Sequence, residues 1–86
     1  MTDGWVEFVY SIKRGLIQDV QAMAKKKGLK HDTVLRPNGD TILHVCAEYG
    51  RSELFDFFYK KFSINLDVQN EAGETPFIIS AREGRL

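Results

Sequence analysis

The chain has 86 residues, 43% of them hydrophobic, with 12 basic side chains, 12 acidic side chains and one cysteine. That length supports one small domain, the zero net charge gives no general case for nucleic-acid binding, and a lone cysteine excludes an internal disulfide framework or a multi-cysteine metal site. No apolar run is long enough to span a bilayer, and Met1-Thr2-Asp3-Gly4 leads into mixed charged and apolar residues, so neither a membrane anchor nor a signal peptide is expected.

Trp5, Phe8, Val9 and Ile12 stand at helical spacing, which predicts a short amphipathic helix from Trp5 to Arg14. Asp3 or Gly4 is placed to cap it. Glu7 suits the positive end of the helix dipole, Lys13 and Arg14 suit the negative end, and Gly15 stops the helix. A second helix follows at once, with Ile17, Val20 and Met23 or Ala24 on one face and the basic run Lys25-Lys26-Lys27 before Gly28. Pro37 and the Asn38-Gly39 dipeptide then signal a tight turn and predict a β-hairpin finger. Thr41 can cap the next helix, which runs to Gly50. After it, Leu54 or Phe55, Phe58 and Phe62 give the following helix a buried stripe, leaving Phe57 and Tyr59 as candidates for exposed contact. Thr75 can cap a last helix that begins at Pro76, where proline forfeits no intrahelical bond.

The stretch Asn38 to Arg51 returns in register as Ala72 to Arg85, an offset of 34 residues that aligns Gly39 with Gly73, Thr41 with Thr75, Ala47 with Ala81, Gly50 with Gly84 and Arg51 with Arg85. Such a period signals stacked supersecondary units. The pattern Gly-x-Thr-x-Leu-His-x-x-Ala-x-x-Gly resembles the ankyrin repeat, with Ile42 where that family has proline and Ile78 where it has histidine. The resemblance is specific over residues 37–86. Over residues 5–36 it is weak and reads as an N-terminal capping unit, atypical because one face meets water. It implies an all-α stack of about two and a half repeats with β-hairpin loops in one domain, 1–86: a cap at 5–36, a full repeat at 37–70, and an incomplete one at 71–86 without its outer helix. Within that scheme Ser63 to Val68 resembles the family's passage into the second finger, where an aliphatic side chain anchors the loop. The apolar face of the last helix, Phe77, Ile78 and Ala81, is then left uncovered. Self-association through that end is expected, or the chain is an N-terminal fragment or short isoform of a longer array with a structural or regulatory role.

Catalytic motifs are absent: there is no phosphate-binding glycine loop, no His-Glu-x-x-His and no Gly-x-Ser-x-Gly. His44 and Cys46 lie two positions apart on a helix and project about 200° from each other, so they cannot share a proton. His44 is read as a tie from helix to finger through the Thr41 side chain or the hairpin backbone, a tie that Ile78 replaces with hydrophobic packing. Cys46 is read as a buried, inert thiol. Lys25, Lys26, Lys27, Lys30 and His31 could meet phosphate or acidic lipid, but no aromatics are interleaved with them and a solvated helix end accounts for them. No enzyme activity, cofactor or metal is expected. A free thiol fits a reducing compartment, the cytoplasm, with the nucleus as the alternative.

What remains is surface geometry. The resemblance implies a protein partner, with no nucleic acid and no membrane, on the concave face made by fingertips and inner helices. By position the contact residues are Pro37, Asn38, Asp40, Glu48 and Tyr49 in the middle unit, and Glu71, Ala72, Glu74, Arg82 and Glu83 in the last. Asp40, Glu48, Glu71, Glu74 and Glu83 would make that face acidic and suit a basic or mixed-charge partner, with Tyr49 as an aromatic anchor.

Overall fold

Glycine punctuation governs the architecture. In the computed structural model, which describes residues 3–85 and, for Asp3, the backbone only, five helices follow one another: α1 (Val6–Arg14), α2 (Ile17–Lys27), α3 (Ile42–Glu48), α4 (Ser52–Phe62) and α5 (Pro76–Arg82). A 3-10 turn, Asp3–Trp5, precedes α1. The N-cap of α1 is Trp5, without a side-chain cap bond, so Gly4 does not cap the helix; the Asp3 side chain and Leu86 lie outside the described residues. The family scheme of paired helices is present in α1–α2 and α3–α4, while α5 stands alone.

Four helix ends share one hydrogen-bond pattern. Gly15 N–H donates to Ile12 O and Leu16 N–H to Ser11 O, and the same two bonds recur at Gly28, Gly50 and Gly84. This arrangement satisfies carbonyls that have no partner within the helix, and it needs a left-handed residue at the end. At Gly15 and Gly50, with φ of 73° and 67°, there is a second reason for glycine: a Cβ would meet the side chains of Arg51 and Arg85 at 3.1 and 3.0 Å. Arg51 crosses to the end of α1, donating from Nε to Ile12 O at 3.1 Å and from Nη2 to Lys13 O, and Arg85 repeats the contact one unit later, donating to Glu48 O at 3.2 Å. The matched arginines that follow Gly50 and Gly84 therefore clamp each unit to the one before it. The end of α4 departs from the glycine rule, because Ser63 takes the left-handed conformation there at φ 50°.

The core lies around α3, where every residue from Ile42 to Ala47 is buried. Phe8 and Ile12 of α1, Val20 of α2 and Leu54 and Phe58 of α4 close on it, all fully inaccessible to solvent. Each such side chain contributes about 1.5–3 kcal/mol by leaving water. The stack is unequal at its two ends. Phe77 of α5 is 65% exposed although Leu43, its equivalent in α3, is buried, and Tyr10 of α1 is 56% exposed. On α4, Phe57 and Tyr59 are half-buried and packed against the core, so neither projects freely into solvent. The helix turns once per 3.6 residues, and five aromatics in eight positions cannot be divided between a narrow stripe and open solvent.

No strand occurs among the described residues. The first finger closes through turn bonds, Gly39 N–H to Arg36 O at 3.0 Å and Leu35 N–H to Asp40 O at 2.7 Å. The second does the same through Gly73 N–H to Asn70 O and Asn70 N–H to Glu74 O, both 3.0 Å. Glu71 N–H donates to Asn38 O at 2.9 Å, joining the two tips.

Candidate interaction surface

The two fingers and the C-terminal ends of α3 and α5 form a ledge whose underside is a continuous polar network. It begins at Arg36, which sequence reasoning did not single out. One guanidinium nitrogen of Arg36 meets Glu48 Oε1 at 2.5 Å and Asp40 Oδ2 at 3.2 Å, and the other donates to the Tyr49 hydroxyl at 2.9 Å. Burial opposes the charge on Arg36, but the hydrogen bond and charge of Glu48, then Asp40, outweigh it, so the guanidinium holds its proton more firmly than usual. The network crosses to the second finger through Asn70. Its amide nitrogen donates to Asp40 Oδ1 at 2.9 Å and to Glu74 Oε1 at 3.0 Å, while its oxygen accepts from the backbone N–H groups of Ala72 and Glu74. Arg82 of α5 pairs with the remaining oxygen of Glu74. The bond from Asn70, then the charge and hydrogen bond of Arg82, hold the Glu74 carboxyl below the usual range, against partial desolvation and the nearby Asp40.

His44 binds the two units from beneath. Thr41 N–H donates to His44 Nδ1 at 3.0 Å, and the Thr41 hydroxyl lies 2.9 Å from the same nitrogen. A backbone amide can only donate, so Nδ1 is the acceptor and the ring proton sits on Nε2, which donates to Glu74 O at 2.8 Å. The histidine thus completes the capping box of α3 and ties helix to finger through both Thr41 and finger backbone, the latter 30 residues along the chain in the next unit. At the matching position Ile78 makes no such bond and gains no packing in exchange, being 46% exposed. The Thr75 hydroxyl caps α5 by accepting from Ile78 N–H at 3.3 Å.

These contacts sort the ten residues expected to meet a partner. Pro37, Asn38, Glu71, Ala72, Arg82 and Glu83 are exposed. Asp40 is not: it is 2% exposed and its carboxylate is fully engaged by Arg36 and Asn70, so it builds the ledge from within and is removed from the contact surface. Glu48, Tyr49 and Glu74 are half-buried and committed to Arg36, Asn70 or Arg82, so their charge and hydroxyl are largely spent inside the protein. The acidic character left to the surface comes from Glu71 and from Glu83, whose carboxylate lies 3.7 Å from Arg82 Nε in an exposed pair. Asn70 could have been suspected from Asn70-Glu71-Ala72-Gly73, a turn composition, whereas nothing local marked Arg36 as the hub.

Cys46 is fully buried beside this framework, and burial pushes its thiol up to about 12, away from the thiolate needed for reaction. Among the described residues no group of three His, Cys, Asp or Glu side chains is placed to hold a metal, and no helix is long and apolar enough to cross a membrane. An open hollow of about 380 Å³ flanks α5, walled by Phe55, Leu66, Pro76 and Phe77. A family model for ankyrin repeats in many copies matches residues 32–86, more than half of the chain. A search of curated proteins finds no match.

Proposed function

The chain belongs to the ankyrin repeat family, whose repeats generally serve protein–protein interaction, and from that premise we propose a non-catalytic module that binds a protein partner on the finger ledge. The observation that carries this reading is the contrast between the two layers of the ledge. Beneath, Arg36, Asp40, Asn70, Glu74 and His44 satisfy one another and lock the fingers in register; above, Pro37, Asn38, Glu71, Ala72, Arg82 and Glu83 are left to solvent. A rigid, pre-formed surface loses little freedom on binding. With Glu71 and Glu83 as its carboxylates, the ledge suits a basic or mixed-charge partner. The buried free thiol is consistent with the cytoplasm, or with the nucleus, as its compartment.

Affinity capture with the full chain as bait, run in parallel with a Glu71→Lys/Glu83→Lys bait, tests the proposal. Proteins retained by the first and lost from the second support the ledge, whereas recovery that ignores the charge reversal removes it. The exposed Phe77 and Ile78 favour a second reading, an N-terminal portion of a longer array in which this face packs against further repeats and the chain has no autonomous site. Concentration-dependent self-association of the chain, abolished by Phe77→Glu, would support that reading over an autonomous module.

A further inference from the structure

In the sequence the basic run at the end of α2 has no aromatic company; the fold supplies it from α4. These helices form adjacent parts of the outer layer, each held chiefly by its own inner helix, α1 or α3, and not by the other. Between them runs a groove of about 480 Å³. Gln18, Gln21, Ala22 and Lys25 line one side at helical spacing, and Phe57, Phe62 and Lys61 line the other. The α2 side chains are too small or too polar to fill the gap. The aromatic wall is held back by the core: Phe57 meets buried Phe58 edge-on at 5.0 Å, and Phe62 stacks on it at 6.1 Å.

Lys25 and Lys61 stand exposed at the rim and form no ion pair among the described residues. Their neighbours are committed elsewhere, Lys60 to Asp56 at 3.0 Å and Lys27 to the Gly4 carbonyl. A lysine in the last turn is accounted for by the helix dipole. Lys25 and Lys61 each hold that place in their own helix, and stacking sets the two helix ends side by side so that both cations border one aromatic-walled recess.

We propose that the groove between α2 and α4 docks an acidic segment of a protein partner, seating an apolar side chain against Phe57 and Phe62 and flanking carboxylates on Lys25 and Lys61. Charge complementarity selects an acidic ligand. The concave shape and the glutamines along one wall, which can bond a peptide backbone, select a peptide over the flat face of an anionic bilayer. The groove shares no residue with the finger ledge, so the two proposals stand or fall separately.

The test is a titration of the full, nitrogen-15-labelled chain with the synthetic peptide acetyl-Glu-Glu-Asp-Leu-Leu-Glu-Glu-amide, followed by amide shifts. Saturable shifts are expected at Ala22, Lys25, Phe57 and Lys61, with a Kd on the order of 100 μM. The double change Lys25→Glu/Lys61→Glu, at two exposed positions, should weaken binding roughly tenfold. Replacing the peptide's two leucines by serines should weaken it comparably, and this arm leaves the protein untouched. Equal binding of the serine peptide would reduce the site to unspecific charge attraction and overturn the proposal. So would shifts centred on Asn38 and Glu71, affinity retained in the double variant, or binding to phosphatidylserine vesicles without binding to the peptide.

Discussion

Replacing His44 by leucine keeps most of the side-chain volume in a fully buried site and removes every hydrogen bond the imidazole makes. Two backbone groups lose a bond. The Thr41 N–H lies in the buried part of the cap, where an unsatisfied donor costs about 1–3 kcal/mol. Glu74 O keeps the bond from Asn70 N–H, so the loss of its second donor costs about 0.5–1 kcal/mol. The total, roughly 1.5–4 kcal/mol, is a large fraction of the ~4–13 kcal/mol available to a domain of this size at ~0.05–0.15 kcal/mol per residue. With a urea slope of about 1 kcal/mol/M, the unfolding midpoint should fall by about 1.5–4 M. The control is Ile78→Ala, at the equivalent place in the last unit. Ile78 is 46% exposed and makes no tie, so its midpoint should move by less than about 0.5 M. A His44→Leu shift below about 0.5 M, or a loss at Ile78 as large as that at His44, refutes the argument that the imidazole joins the units.

Four further outcomes follow from the contacts described. Arg51→Ala should cost about 1–2 kcal/mol in urea unfolding, and Arg85→Ala about 0.5–1, because Arg51 donates two charge-assisted bonds to the end of α1 and Arg85 one to α3; equal losses would contradict the clamp geometry. Ser63→Gly should stabilise by about 0.5–1 kcal/mol, since glycine takes the left-handed end of α4 without the Cβ penalty, and a loss of stability would refute it. Glu74 is held below the usual carboxylate range in the folded state, so its stabilising share is fully present above the unfolded value of about 4.3 and is lost as pH falls through the lower folded value. Glu74→Gln should accordingly be less stable than wild type at pH 7, and the gap should shrink below about pH 4; a gap that stays constant on acidification counts against the linkage. Cys46, buried and raised to about 12, should react with a disulfide reagent at pH 8 on the order of 10³-fold more slowly than in urea-unfolded chain, and labelling at the unfolded rate would contradict its burial.

Local chemistry carried much of the fold into view. The stops at Gly15, Gly28 and Gly50 and the Thr75 cap with Pro76 behind it are short-range signals that appear in the structure, and of the expected stripes Phe8, Ile12, Leu54 and Phe58 are buried while Trp5, Val9 and Phe62 are half-buried. The surface was less legible. Asp40 was expected to meet a partner from its position in the repeat; the structure instead engages it on both oxygens, by Arg36 four residues before it and by Asn70, 30 positions away. Arg36 escaped notice for a related reason, since Glu48 and Tyr49 reach it only when α3 folds back beside the first finger. Likewise Lys25 looked like an isolated helix end until α4 set Phe57 and Lys61 beside it.

The sequence by itself determined the units: a 34-residue repeat, helices bounded by glycine, and the histidine and threonine of one cap. These depend on backbone preferences and side-chain spacing within about a dozen residues, which the linear chain displays directly. Which charges face solvent was settled only by folding, which turns Asp40, Glu48 and Glu74 inward to arginine and asparagine and leaves Glu71, and Glu83 beside Arg82, exposed. The reason is that ion pairing and burial depend on distance in space, and stacking brings together residues that spacing along the chain keeps apart.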